Sequence, residues 1–229
     1  MIIPGIIPAR RGSGRLRGRN MLRIDGRTLI EIAVSSAAPV LGLDNIYVST
    51  DDPDIAAEAR RCGARVVDRP AALSADGVST RAVALHALDA IIAERGEGSF
   101  DAFAYLHATT PLRGGEDIEA CIALLRDGAA NTVVSIRESE VTPGRVWAMR
   151  GGRMLPYFQD ADPFRRRQDQ QTAFHANGAV HICRLAPFLA SRGDSLLVDP
   201  CLGYEMPEER SIDIDEPLDH MLARVWMQA

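Results

Sequence analysis

A chain of 229 residues, 46% hydrophobic and 25% charged, has the size and balance of a single large α/β domain (1–229), with or without a modest insertion. Its net charge of -5 argues against general nucleic-acid binding, and its apolar stretches are too short to span a membrane. Four dispersed cysteines argue against zinc and for a cytoplasmic protein, and the absence of lysine leaves arginine as the only fixed cation.

The apolar run Met1–Ile7 is too short for a signal peptide, and a first strand is predicted from about Gly5 to Pro8. It runs into the loop Ala9-Arg10-Arg11-Gly12-Ser13-Gly14-Arg15-Leu16-Arg17-Gly18-Arg19-Asn20, and seven arginines fall between Arg10 and Arg27. Glycines let backbone N–H groups close on phosphate oxygens, and guanidinium forks bind them in pairs, so this loop asks for a polyanion. It is neither a Walker A motif nor a dinucleotide fingerprint. A solvated basic loop or a nucleic-acid patch is the alternative reading.

Thr28-Leu29-Ile30-Glu31 reads as a capping box opening a helix. A strand over 45–50 leads to Asp52 as helix cap, Pro53 at the first helical position and Gly63 as terminator. A short strand over 64–67, a helix over 79–95, a strand over 102–107, a helix over 116–126 and a strand over 132–136 follow. This alternation predicts a doubly wound, mostly parallel sheet, whose ligands sit at the carboxyl ends of its strands. The arginine loop, Ser49–Asp52 and His107–Thr110 all fall there, which predicts one shared site.

The rhythm breaks over 137–175, which reads as an inserted extension with a hairpin around Gly151-Gly152. Its apolar residues (Val146–Met149, Met154–Phe158) suit contact with a second subunit, or a lid folding over its own chain. Strands over 178–183 and 211–215, a short helix near Ala186 and a terminal helix over 217–227 complete the reading.

On a strand, Asp213 and Asp215 share one face, and two carboxylates there repel unless a cation lies between them. Oxygen-only ligands of this kind suit Mg2+, which takes one or two carboxylates together with substrate phosphates. Asp215 could equally cap the terminal helix. His107, at a strand's carboxyl end, is balanced between substrate contact and structural hydrogen bonding, and the other histidines lack metal-ligand spacing.

Taken together, these residues resemble the acylneuraminate cytidylyltransferases, the CMP-sialic acid synthetases and their CMP-pseudaminate and CMP-legionaminate relatives. The ordered blocks are Ile7–Asn20; Ser49–Asp52; Asp68-Arg69-Pro70 with Leu73 and Asp76; Leu106–Arg113; Arg167-Gln168-Asp169 with Asn177-Gly178-Ala179; and Ile212–Asp215. The resemblance implies a nucleotidyltransferase, glycosyltransferase-A-like fold and transfer of CMP from CTP to the anomeric hydroxyl of a nonulosonic acid, releasing pyrophosphate with Mg2+. It implies that Ala9, Arg10, Gly12, Ser13, Arg19, Asn20, Arg69 and Thr80 bind CTP, with Arg10, Arg19 and Asp213 catalytic and Asp213 and Asp215 holding the metal. It implies that His107, Arg145, Arg167 and Asn177 face the acidic sugar, and that the extension forms a homodimer. Departures fall at Arg19, where relatives carry lysine, at His107-Ala108 for Gln-Pro, and at Gln170-Gln171 for Leu-Pro. A CMP-Kdo-type synthetase and a non-catalytic nucleotide-binding relative are the rival readings, with an RNA binder further off.

Overall fold

Residues that alternate at period two on a strand point to opposite faces, and the central strands use that alternation to build two cores. The computed structural model describes residues 2–12 and 16–228, with Arg167 described by its backbone alone; the predicted phosphate contact Ser13 lies outside the described residues. In chain order the elements are β1 (Gly5–Pro8), β2 (Arg23–Ile24), β3 (Arg27–Thr28), α1 (Leu29–Leu41), β4 (Ile46–Thr50), α2 (Pro53–Arg61) and β5 (Arg65–Asp68). Next come α3 (Thr80–Arg95), β6 (Ala102–Tyr105), α4 (Gly115–Asp127), β7 (Thr132–Glu138), β8 (Trp147–Arg150) and β9 (Arg153–Pro156). The chain closes with β10 (Phe174–Arg184), α5 (Leu185–Ala190), β11 (Cys201–Glu205) and α6 (Pro217–Trp226).

Seven strands form one sheet in the order β11-β7-β10-β6-β1-β4-β5. All neighbours pair in parallel except β10, which runs antiparallel between β6 and β7. Ile7, Val48 and Ala104 pack into one core with α1 and α4, while their neighbours Ile6, Tyr47, Phe103 and Tyr105 pack into the other with α3 and α5. That is why these strands read as unbroken apolar runs: both faces are covered.

Local chemistry sets the ends of the helices. Thr28 Oγ1 accepts from Glu31 N (3.1 Å) and Ser79 Oγ from Ala82 N (3.2 Å). Asp52 Oδ1 accepts from Asp54 N (2.8 Å) and Ile55 N (3.2 Å), with Pro53 opening α2.

Three features differ from the sequence expectations. The segment 211–215, predicted as a strand, pairs with no sheet; β11, which the sequence pattern did not reveal, occupies the edge beside β7. Ile214 N instead bonds Thr109 O (2.8 Å), so the segment crosses the strand ends; Ile214 is still fully buried, which is why the alternation was there to read. Second, β10 begins at Phe174, with a register shift between Ala176 and His181, so the extension feeds directly into the sheet. Third, Asp219, not Asp215, receives the amides at the start of α6: its Oδ2 accepts from Asp215 N (2.9 Å) and Glu216 N (2.7 Å). Capping by Asp215 is therefore replaced, and its carboxylate is left for the cleft.

Candidate active site

In a parallel sheet every strand delivers the chain to the same edge, and here those ends converge on one cleft. Arg10 follows β1, Asp51 follows β4, Arg69 follows β5 and His107 follows β6. A cavity of about 210 Å³ is lined by Arg10, Arg19, Asn20, Arg69, Thr80 and His107, among others. Six of the predicted site residues, separated by up to 97 positions, thus share one pocket.

Each side chain has a distinct state. Arg10 donates to Ser74 O (2.9 Å) and pairs with Asp76 (2.8 Å), whose side chain is 87% exposed. So exposed a pair is worth little, and the guanidinium can be taken over by a better anion. Asn20 is buried, and its Nδ2 donates to Arg10 O (3.0 Å), holding the loop at its exit from β1. Arg19 reaches across the cleft: its Nη1 donates to Ile214 O (3.2 Å) and forms a close ion pair with Asp215. The arginine loop and the paired aspartates therefore meet at one site.

Arg69 is buried, and its Nε and Nη2 have no hydrogen-bond partner among the described residues. Its closest carboxylate, Asp51 Oδ1, is 3.8 Å away, and burial lowers its pKa. A desolvated guanidinium with unused N–H groups on a cavity wall is poised to bond an acceptor in the cavity. Ala9 is buried behind the loop, its N–H on Ser49 O (2.9 Å), and Gly12 lines an adjoining hollow with Arg11 and Arg17.

A second cavity, of about 740 Å³, adjoins the first through His107, which lines both. Asp213 and Asn177 open onto it, as do Arg137 and His175. Burial, reinforced by His181 and Arg113, lowers the His107 pKa to about 3, so its imidazole is neutral throughout the ordinary range. Arg113 supports this corner from beneath, donating to His107 O (3.0 Å) and Ala179 O (2.9 Å).

Asp213 Oδ1 is buried without a hydrogen-bond partner among the described residues, and burial raises the pKa of its carboxyl. A carboxylate oxygen kept dry and unpaired, next to a second carboxylate, suits an oxygen-liganded cation that draws its remaining ligands from substrate. Among the described residues, a three-residue grouping with metal-ligand spacing lies elsewhere, at Glu31, Glu58 and Cys62, where Arg61 already binds both glutamates.

The predicted sugar contacts divide. His107 is at the junction of the cavities. Asn177 lines the larger one, yet its amide is already engaged: Oδ1 accepts from Ser135 Oγ (2.6 Å) and Ala179 N (3.1 Å), and Nδ2 donates to Ser211 Oγ (2.9 Å). Arg145 is exposed in the turn Pro143–Arg145 and is not among the residues lining either cavity. The side chain of Arg167 lies outside what is described, and its backbone forms a short 3-10 turn with Asp169. Arg137 was missed by the sequence reading, although the rule that singled out His107, position at a strand's carboxyl end, also applies to it.

A family model described as cytidylyltransferase matches residues 4–140, more than half of the chain. The chain belongs to the cytidylyltransferase family. It is 28% identical over 222 residues to an N-acylneuraminate cytidylyltransferase of Escherichia coli O18:K1:H7, covering 96% of this chain and 51% of that protein. It is 28% identical over 234 residues to the CMP-N,N'-diacetyllegionaminic acid synthase of Legionella pneumophila, covering 100% of this chain and 97% of that one. This cytidylyltransferase chain thus spans about half the length of the first relative and nearly all of the second. Its fold matches a solved CMP:2-keto-3-deoxy-manno-octonic acid synthetase complexed with CTP, with a TM-score of 0.68 at 19% identity over 99% of this chain and 98% of that one.

Proposed function

We propose that this cytidylyltransferase transfers CMP from CTP to the anomeric hydroxyl of a nonulosonic acid, releasing pyrophosphate and using Mg2+. The observation that carries this reading is His107 at the meeting of two cavities, the smaller lined by arginines and the larger by Asp213, whose Oδ1 has no hydrogen-bond partner among the described residues. The relatives named for acylneuraminate and legionaminate transfer support the acceptor class.

In the reaction the sugar hydroxyl oxygen bonds to the α-phosphorus, the bond from that phosphorus to the bridging oxygen breaks, pyrophosphate takes the electron pair, and the hydroxyl proton passes to solvent. Arg10 exchanges its exposed partner Asp76 for triphosphate oxygens. Arg19 does the same on leaving Asp215, which frees that carboxylate beside Asp213. Ser13 and Gly12 extend the phosphate cradle, Arg69 and Thr80 border the base, and Asn20 anchors the loop. Asp213 and Asp215 would hold the Mg2+, which when bound supplies charge neutralisation on the phosphates.

Met149, Met154, Tyr157, Phe158 and Phe164, all at least half exposed, support a homodimer formed through the extension; sedimentation at the monomer mass would remove that part of the reading. No helix among the described residues is long and apolar enough to cross a membrane, and the four cysteines are free, which fits a cytoplasmic enzyme. The deciding experiment measures pyrophosphate release from CTP with sialic, pseudaminic, legionaminic and Kdo-type acids. Release with a nonulosonic acid is expected. Release with the Kdo-type acid alone would replace the acceptor class, and none with any acid would overturn the function.

A further inference from the structure

The larger cavity has a carboxylate-rich wall, with Glu140, Glu208, Glu209 and Asp213 among its lining, and one guanidinium among its described lining residues, that of Arg137. An acidic acceptor entering such a space needs a cation to receive its carboxylate. Neither of the arginines expected from the sequence to face the sugar is described there. Arg137 is.

Arg137 lies next to the last residue of β7, directly opposite His175 on antiparallel β10. Its Nε donates to His175 Nε2 (3.0 Å), so the ring accepts at that nitrogen and the planar guanidinium is fixed from one edge. Two residues before Arg137 on β7 and two residues beyond His175 on β10, where the register shifts, Ser135 and Asn177 are joined by the 2.6 Å bond from Ser135 Oγ, which ties the two strands together next to the pair. The Nη groups are left facing Glu140 Oε1 at 3.9 Å and Glu208 Oε1 at 4.0 Å, beyond hydrogen-bond reach, on side chains 70% and 75% exposed. Contacts that long and that wet are weak, whereas a planar carboxylate presented end-on to two Nη groups makes two charge-assisted bonds at once.

We propose that Arg137, oriented by His175, is the residue that binds the acceptor's carboxylate and so selects 2-keto sugar acids over neutral sugars. The inference rests on the function proposed above and deepens it. A nonulosonic acid carries its carboxylate on the anomeric carbon, so gripping that group beside His107 and Asp213 also places the reacting hydroxyl at the mouth of the nucleotide cavity. The surrounding glutamates then accept hydrogen bonds from the polyol chain and repel acids bound in the reverse orientation. Arg137 thus binds the substrate directly, and His175 acts through it as a positioning residue.

The test compares N-acetylneuraminic, pseudaminic and legionaminic acids with their C1 methyl esters, which keep the anomeric hydroxyl and lose the charge. In the wild-type enzyme the acid is preferred. In Arg137→Ala the KM for the acid rises by about 100-fold, a loss of about 2.7 kcal/mol, while the KM for CTP and for the ester stay near wild type. Arg137→Lys, which keeps the charge without the fork, falls between, and His175→Ala raises the KM for the acid by less than Arg137→Ala with kcat preserved. Undiminished preference for acid over ester in Arg137→Ala, or an equal rise for both, would overturn this inference and leave the function standing. Wild-type enzyme releasing no pyrophosphate with any of these acids would overturn both.

Discussion

Replacing Asp213 by Asn removes a charge while keeping the shape of the side chain, and stability and turnover should then move in opposite directions. Asp213 Oδ1 is buried and unpaired among the described residues, and Asp215 and Asp219 add negative potential that the Thr109 hydroxyl and Arg19 partly offset. Burial is the largest cause holding its pKa above the ordinary 3.8. A carboxyl whose pKa is higher folded than unfolded binds more protons in the native state. Its contribution therefore turns unfavourable as pH rises from about 3.8, and the full cost is present above the folded pKa. A buried polar group without a partner costs about 1–3 kcal/mol, and an amide in its place still needs partners, so the gain from removing the charge is set at about 1 kcal/mol. For a chain of this length that is a rise in Tm of about 2–4 °C. If the carboxylate holds a cation on the departing phosphates, its loss removes about 2.7–4 kcal/mol of transition-state stabilisation, or about 10²- to 10³-fold in turnover. Thermal melts and pyrophosphate release at neutral pH, run on the same preparations, test both signs. An Asp213→Asn enzyme with near-normal turnover, or one melting several degrees below wild type, would refute the reasoning.

Gly178 has φ +74°, and a Cβ there would sit 3.5 Å from both Asp213 Oδ2 and His107 Nδ1. Gly178→Ala should lose about 1–2 kcal/mol through its left-handed backbone and raise the acceptor's KM more than that of CTP; unchanged melting and kinetics would show that the corner tolerates a methyl group. Glu58 accepts from Thr28 Oγ1 (2.6 Å) and from Arg61 Nε (2.8 Å) and Nη2 (2.9 Å), the Arg61 bonds being the main cause that lowers its pKa from 4.5 to about 2. That stability is present above about pH 4.5 and is lost as pH falls toward 2, so Glu58→Gln should melt lower than wild type at neutral pH, with the gap closing in acid. A gap of constant size across that range would mean that shape, and not charge, makes the contact.

Much of the fold was legible because its causes are local. Gly63 and Gly96 at positive φ after α2 and α3, Asp52-Pro53 at the start of α2, and the apolar runs of the doubly covered strands all leave marks within a few residues. The edge strand β11 left none: Leu202 and Gly203 carry little alternation, and the strand exists because the edge of β7 was open to it. The segment 211–215 shows the converse, a strand-like pattern without a ladder, since Ile214 needs burial whether or not its backbone has a neighbouring strand. At the site, the arginine loop and the strand ends led to Arg10, Arg19 and His107, the carboxylate pair to Asp213 and the family resemblance to Arg69, but partnership could not be read from any of them. Asn177 looked like a ligand contact, and Ser135 and Ser211 engage its amide.

The sequence by itself determined the α/β alternation, the arginine loop and the aspartate pair, because propensity, capping and charge act over a few residues. Only the tertiary structure decided that Arg19 would meet Asp215, that Asp213 Oδ1 would be left dry and without a partner among the described residues, and that Arg137 would stand among carboxylates opposite His175. Those outcomes depend on which strand lies beside which and on how much water remains between them, and both are settled when the sheet closes over its two cores.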